Sequence, residues 1–381
     1  MKNNRILFLT PGLAGGGAER ALVNLINSLD VIKYEVHIFT ESLASSRCKE
    51  IDRAIEYSCH TQFGSLFFGK KTKHLQREFI LSFNGTFIAT SLALPRHDVL
   101  FLFRDSLFLT KLLAAKDEHA TSILRIATDY TNNGLAVWKR TINKNYLKMH
   151  TDCYCLPRYI LAGSKEAAYS FSVATGISKN VTTVKNIFDV DRIRLMAADN
   201  IDTRKIRFTI GSVGRPHPDK GFERLLDVCK RLSNEGFNFD LWLVGPDIND
   251  ETIAAKINEH GLLNVTLFGY QGNPYKFMRH FDLFVNPAFS EGSPNTPVEA
   301  VILGIPCVVA DHCGEREIFG ENNEYGIIVE NSEDGLYEGI KQMMADKELY
   351  EKYIAAVAER QSFFDPQRTL AEYERLFESD C

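Results

Sequence analysis

Residues 282–311, DLFVNPAFSEGSPNTPVEAVILGIPCVVAD, set two carboxylates, Glu291 and Glu299, on either side of Gly292, Ser293, Pro294, Asn295, Thr296 and Pro297. Two acids eight positions apart mean nothing on their own. A glycine, two prolines and a helix start between them give the spacing a use. Asn295 or Thr296 is placed to cap the helix, whose free N–H groups then face an anion. The two carboxylates are left to accept hydrogen bonds from hydroxyl groups, which suits a sugar ring and a ribose.

A second constellation lies in FTIGSVGRPHPDKG, residues 208–221, where a strand ends at Gly214 and is followed by Arg215 and, five residues later, Lys220. Two cations on a loop bent by glycine and proline make a clamp for a diphosphate: arginine can hold two oxygens, and lysine acts as a point charge. The third is the loop TPGLAGGGAE, residues 10–19, between a first strand and a helix. Glycines there let backbone N–H groups approach a phosphate or sugar closely. A dinucleotide site is the alternative, with Glu41 after the second strand as the ribose acid. The loop spells Gly-x-x-Gly-Gly-Gly, however, and Arg20 stands where the last fingerprint glycine belongs.

These groups need a frame at strand ends, and the pattern supplies one. Short β-rich runs alternate with helical stretches throughout, which predicts βαβ units and mostly parallel sheets. In the first half the expected strands are 5–9, 34–40, 86–90, 122–127, 159–162 and 181–184, with helices at 18–29, 135–149 and 165–174. The second half restarts with strands at 208–213, 239–244, 265–268, 283–286, 306–310 and 326–329. Helices follow at 333–346 and 347–361, Asp365-Pro366 interrupts, and a last amphipathic helix covers 367–377. Two doubly wound α/β sheets result, joined by a linker near 190–204.

At 381 residues, 45% hydrophobic and 24% charged, the chain has the composition of two globular domains. The first apolar run stops at Pro11-Gly12, too short for a signal-peptide core or a membrane span, and Arg104 and Asp105 interrupt the apolar stretch 99–115. Eight cysteines without a Cys-x-x-Cys pair suggest neither a disulfide framework nor a zinc site and point to a reduced, cytoplasmic compartment. The overall charge of -5 is unevenly divided: residues 1–195 hold 26 Lys and Arg against 17 Asp and Glu, and the remainder 18 against 32. The basic half is expected to face something anionic.

The chain resembles a retaining glycosyltransferase of family 4, of the bacterial surface-polysaccharide type, with the GT-B fold of two Rossmann-like domains facing across a cleft. The resemblance rests on GGGAER at 15–20, LAGSKEAAYSF at 161–171, VTTVKNIFDVDRI at 181–193, VGRPHPDKG at 213–221, LWLVGP at 241–246, LFGY at 267–270, and the Glu-x7-Glu segment with GIPCVVAD behind it. It implies an N-terminal acceptor domain over 1–190, a C-terminal nucleotide-sugar domain over 205–361, and a helix over 362–381 that crosses back to the first. The implied reaction moves a hexose or N-acetylhexosamine from a nucleoside diphosphate sugar, a UDP-sugar first among the candidates. The anomeric configuration is retained, and neither metal nor cofactor is required. The acceptor is a saccharide, expected to be lipid-linked.

Carried onto this sequence, Arg215 and Lys220 hold the phosphates, Glu291 the sugar hydroxyls and Glu299 the ribose. Gly292, Ser293, Pro294, Asn295 and Thr296 meet the sugar or phosphate, Tyr270 joins the donor set, and Gly15, Gly16 and Gly17 close from the first domain. Many family members carry a histidine after the strand corresponding to 123–127; this chain has Asp129 nearby, either as its replacement or in an acceptor-side or structural role.

Asp189-Val190-Asp191 spells the Asp-x-Asp of metal-dependent transferases, but with a whole sheet still to follow it is expected to be interdomain connection. The histidines, His217 and His312 among them, show no ligand spacing and are expected in loops or at the surface. In the basic half, residues 65–79 and 138–148 mix aromatic and cationic side chains, as in a contact with an anionic membrane surface; a solvated helix face is the alternative. No nucleic-acid-binding motif accompanies the charge. A non-catalytic sugar-nucleotide-binding protein is the rival function.

Overall fold

The structure, a computed structural model, describes residues 4–10, 16–40, 57–59, 98–103, 120–126, 129–130, 152 and 154–378. The strand expected at 86–90, the helix at 135–149, the stretches 65–79 and 138–148, and Gly15 and Glu41 lie outside the described residues. The chain divides into two units, Met1–Ile187 with Gln367–Cys381, and Phe188–Pro366.

In the first unit, β1 (Asn4–Thr10), β2 (Tyr34–Thr40), β3 (Tyr57–Cys59), β4 (Val99–Leu102), β5 (Thr121–Ile126), β6 (Tyr159–Ala162) and β7 (Val181–Thr183) form one parallel sheet in the order β3-β2-β1-β4-β5-β6-β7. The central strands are buried along nearly their whole length, as parallel strands covered on both faces must be. That is why ILFL and VLFL read as unbroken apolar runs rather than alternations. It also explains why β4 is absent from the expected strands: a four-residue apolar run inside a longer greasy stretch has no period to reveal it.

Three described helices belong to this unit, two between its strands and one over residues 366–377. Helix α1 (Gly17–Ser28) follows β1 and buries Leu22, Leu25 and Ile26. Helix α2 (Lys165–Thr175) begins where the Ser164 hydroxyl accepts a hydrogen bond from the Ala167 amide and ends at the left-handed Gly176.

The second unit opens with α3 (Val190–Ala197), so a helix occupies the first part of the stretch expected as linker. Asp189 caps it, its carboxylate accepting from the Arg192 amide at 3.0 Å, which gives the first acid of the Asp-x-Asp triplet a local structural task.

Six parallel strands follow: β8 (Phe208–Val213), β9 (Phe239–Val244), β10 (Val265–Leu267), β11 (Leu283–Asn286), β12 (Cys307–Ala310) and β13 (Ile327–Val329). Their order is β10-β9-β8-β11-β12-β13. Sequence order therefore reverses between β8 and β11, which pair directly through Leu283 and Ile210. In a doubly wound sheet, a ligand crevice opens outside the carboxyl ends of the strands at such a reversal.

The connecting helices are α4 (Phe222–Asn234), α5 (Glu251–His260), α6 (Tyr275–Met278), α7 (Asn295–Ile302), α8 (Glu315–Phe319), α9 (Glu333–Ala345) and α10 (Lys347–Arg360). Leu225, Leu226, Cys229 and Leu232 of α4 form the apolar stripe that packs into the same core as Leu241, Leu283 and Ile340.

The last helix, α11 (Pro366–Phe377), belongs to the first unit. Proline is well placed at a helix start, where its missing N–H has no intrahelical partner to lose. Leu370, Tyr373 and Phe377 enter the core around Ile6, Phe8, Phe101 and Leu161. At its end, Lys33 Nζ lies 3.1 Å from Glu374 and 2.6 Å from Glu378. Such half-exposed pairs contribute about 0 to 1 kcal/mol each, so the buried aromatic rings do most of the holding.

Candidate functional site

Both cation positions and Glu291 lie past the carboxyl ends of the two strands that flank the reversal. After β8 the chain turns through Gly214, and Arg215 is exposed, with no ion pair among the described residues. His217 follows at the surface, its Nδ1 accepting a hydrogen bond from the Asp219 amide at 3.3 Å. That contact caps a 3₁₀ turn, Pro218–Lys220, after which Gly221 starts α4. Lys220 Nζ reaches across to the Glu291 carboxylate, from the loop after β11, and the two form an ion pair. The structure thus brings together a cation from one loop and an acid from the other.

Two glycines let loops approach closely, Gly221 where the loops after β8 and β11 meet and Gly245 where those after β9 and β8 meet. Gly221 has φ +67, and a Cβ there would stand 1.9 Å from the Pro287 carbonyl oxygen; a Cβ on Gly245, at φ +129, would stand 1.7 Å from that of Gly214. Gly221→Ala is expected to cost about 2 to 3 kcal/mol of stability in urea unfolding, from the left-handed backbone and the backbone clash together. A loss below about 0.5 kcal/mol would show that the loop after β11 yields freely.

Glu299 takes a different course from Glu291. It is 3% exposed on α7, and Tyr275 Oη of α6 donates to its Oε1 at 2.9 Å. It therefore faces α6, while Tyr270, on the loop after β10, stands 63% exposed. Helix α7, which carries Glu299, is not capped as expected: Pro294 occupies the cap position in extended conformation, and Asn295 and Thr296 are already helical. Proline has no side-chain acceptor, so the side-chain capping expected of Asn295 or Thr296 does not occur. Of the first-unit residues, Gly16 and Gly17 lie at the start of α1, and Asp129, 1% exposed, lies just past β5.

His312 corrects the expectation of a loop or surface residue, for it is 4% exposed beyond the end of β12. Asn286, the last residue of β11, directs its amide nitrogen at His312 Nε2, 3.2 Å away, and at Glu315 Oε1, 3.1 Å away. The same Nε2 lies 3.4 Å from Glu315 Oε1. A histidine can be buried here because β11 and α8 supply polar partners, a circumstance that its own sequence neighbours do not reveal.

Burial pushes the His312 pKa down to about 4, and the nearby Lys220 acts in the same direction, while Glu291 and the Cys313 backbone pull it up. The folded value lies below the ordinary 6.5, so between those values the unfolded chain binds more protons than the folded one. Stability attributable to this group is complete above pH 6.5 and is lost as pH falls toward 4, by about 3 kcal/mol in total. His312→Gln should make the fall in unfolding free energy between pH 7 and pH 4 smaller by that amount. An unchanged fall would mean that the imidazole is already charged or solvated in the fold.

Arg224, Asn331 and Tyr275 were also not singled out in the sequence. Arg224 is 4% exposed, with burial pulling its pKa to about 10, which leaves it charged at neutral pH. A signal existed in Arg224, because it interrupts the apolar face of α4 one turn after Lys220. Asn331 and Tyr275 carry none that type and spacing could have shown.

Residues 197–360 match the family of glycosyl transferases group 1. The chain is 30% identical over 213 residues, 54% of its length and 56% of the relative's, to N-acetylgalactosamine-N,N'-diacetylbacillosaminyl-diphospho-undecaprenol 4-alpha-N-acetylgalactosaminyltransferase of Campylobacter jejuni. It is 30% identical over 149 residues, 38% of each chain, to the capsular polysaccharide biosynthesis glycosyltransferase CapM of Staphylococcus aureus. The chain spans little more than half the length of the first curated relatives it matches, 56% and 58%. Among solved structures, Anabaena HepE in complex with UDP and glucose superposes with a TM-score of 0.73 at 18% identity, covering 99% of this chain and 100% of that one. The α/β fold of two doubly wound units is that of the GT-B glycosyltransferases.

Proposed function

We propose that the protein is a glycosyltransferase that moves a hexose or N-acetylhexosamine from a UDP-sugar to a lipid-linked saccharide in surface-glycan synthesis. The observation that carries this reading is the meeting of Lys220 and Glu291 at the carboxyl ends of β8 and β11, where the sheet order reverses. The matched family over 197–360 supports it, as do the polyprenyl-linked substrate in the Campylobacter relative's name and the UDP bound to HepE.

In this reading Arg215 and Lys220 take the donor diphosphate, and the positive N-terminal end of α7 adds to the field there. Glu291 accepts hydrogen bonds from donor sugar hydroxyls, and Glu299 from the ribose. The acceptor hydroxyl attacks the anomeric carbon from the face the diphosphate leaves, so configuration is retained. Catalysis then consists of positioning and of neutralising charge on the leaving diphosphate, by residues of the chain and without a metal. The first unit takes the acceptor, and its basic character suits an anionic membrane surface. Among the described residues no helix is long and apolar enough to cross a membrane.

The test is incubation with UDP-, GDP- and ADP-sugars, with and without polyprenyl diphosphate-linked saccharides, and measurement of released nucleotide and glycosylated product. Acceptor-dependent release with one donor is expected. Donor binding without release or transfer to any of these acceptors would favour a non-catalytic sugar-nucleotide-binding protein.

A further inference from the structure

Glu291 stands on a loop with no regular structure, and its usefulness depends on where residues 287–289 hold it. Their backbone groups are bound by side chains from elsewhere. Arg224 Nε donates to the Pro287 carbonyl at 2.6 Å, and Arg224 Nη2 to that of Ala288 at 2.6 Å. Asn331 Nδ2 donates to the Phe289 carbonyl at 2.9 Å, and the Phe289 amide donates to the Asp219 carbonyl at 2.8 Å. Arg224 Nη1 joins the two sets by donating to Asn331 Oδ1 at 2.8 Å, and its guanidinium lies 4.0 Å from the centre of the Phe289 ring. Asn331 in turn reaches the Asp311 carbonyl, next to β12, at 3.2 Å.

This guanidinium is not a third phosphate ligand. It is buried, and Nε, Nη1 and Nη2 each already donate to a protein oxygen. Its planar fork does what an ammonium cannot: it binds two successive carbonyls and an amide oxygen in one fixed geometry. Lys220 lies four residues before Arg224, and Glu291 two residues after Phe289. One side chain therefore fixes the backbone on the Glu291 side of the clamp from the first turn of the helix that Lys220 precedes.

We propose that Arg224, with Asn331, is a positioning residue for the donor site, holding the loop after β11 so that Glu291 meets both Lys220 and the donor sugar. The proposal deepens the glycosyl-transfer reading and rests on it for its catalytic part, whereas its structural part can be tested separately.

The structural test is hydrogen–deuterium exchange on the full chain of wild type, Arg224→Lys and Asn331→Ala. Exchange in residues 286–292 is expected to speed up at least tenfold in both variants, with the strands and α4 unchanged. Wild-type protection of that loop in both variants overturns the proposal, whatever the enzyme does. Asn331 is only half-buried, so Asn331→Ala keeps the test decisive if Arg224→Lys does not fold.

The catalytic test uses the donor that turns over in the nucleotide-sugar panel. Arg224→Lys should lower kcat at least tenfold and change UDP affinity less than threefold, because the clamp cations are intact. In the Glu291→Gln background Arg224→Lys should add no further loss, since both act through one carboxylate. Losses that multiply, or an Arg224→Lys enzyme with wild-type kcat, would overturn the catalytic part. Wild-type chain that neither binds UDP nor turns over any donor would refute the glycosyl-transfer reading, leaving the exchange result to judge the loop.

Discussion

Replacing Lys220 by alanine is expected to lower kcat/KM by a factor on the order of 10² or more, and Arg215→Ala by a comparable factor, with little change in unfolding free energy. Arg215 is exposed, and among the described residues Lys220 pairs with Glu291 alone, so neither side chain is a principal support of the fold. Their expected value lies in the transition state, when charge builds on the departing diphosphate faster than water could reorganise to meet it. The two cations differ in standing. Lys220 is already paired with Glu291, whereas Arg215 is exposed and makes no ion pair among the described residues. Lys220→Ala should therefore affect kcat more, and Arg215→Ala should show a larger share of its loss in KM. Initial-rate kinetics on both variants decide this, and near-normal kcat/KM in both would remove the clamp from the mechanism.

The second large effect separates the two acids. Glu291→Gln removes the negative partner of Lys220 and leaves that cation uncompensated until a diphosphate arrives. Affinity for free UDP should be unchanged or rise, up to about threefold, while sugar transfer falls by on the order of 10². Glu299→Gln leaves the clamp alone and weakens donor and free UDP alike by about 1 to 3 kcal/mol, the scale of a hydrogen bond to a charged group. Tyr275→Phe, which removes only the hydroxyl holding Glu299 Oε1, should show the same pattern with a smaller loss. Equal loss of UDP affinity in Glu291→Gln and Glu299→Gln would put the ribose on the wrong carboxylate.

Much of the frame behind these effects was legible in residue order. The strands at 208–213, 239–244 and 283–286 match β8, β9 and β11, because apolar runs bounded by Gly, Pro and Asn have only one reading when helices alternate with them. The juxtaposition of Lys220 and Glu291 follows from that frame, since residues just past adjacent parallel strands come together. What escaped has a common physical cause. Arg224, Asn331 and the group of Asn286, His312 and Glu315 gain their roles largely from partners 20 to 107 positions away in sequence. A buried polar residue is stable only when such partners exist, and spacing along one strand or helix cannot show them. The missed cap at Asn295 has a local cause: the helix starts one turn position earlier than the polar residues suggest, because Pro294 fits the extended cap conformation.

The most direct test of the central claim is calorimetric titration of the full chain with UDP, GDP and ADP, run alongside Lys220→Ala. The account predicts one-to-one binding of UDP to the wild-type chain, weakened at least about tenfold in Lys220→Ala, as loss of a charged hydrogen-bond partner requires. Binding of UDP with wild-type affinity by Lys220→Ala, or no binding of any of the three to the wild-type chain, would contradict it.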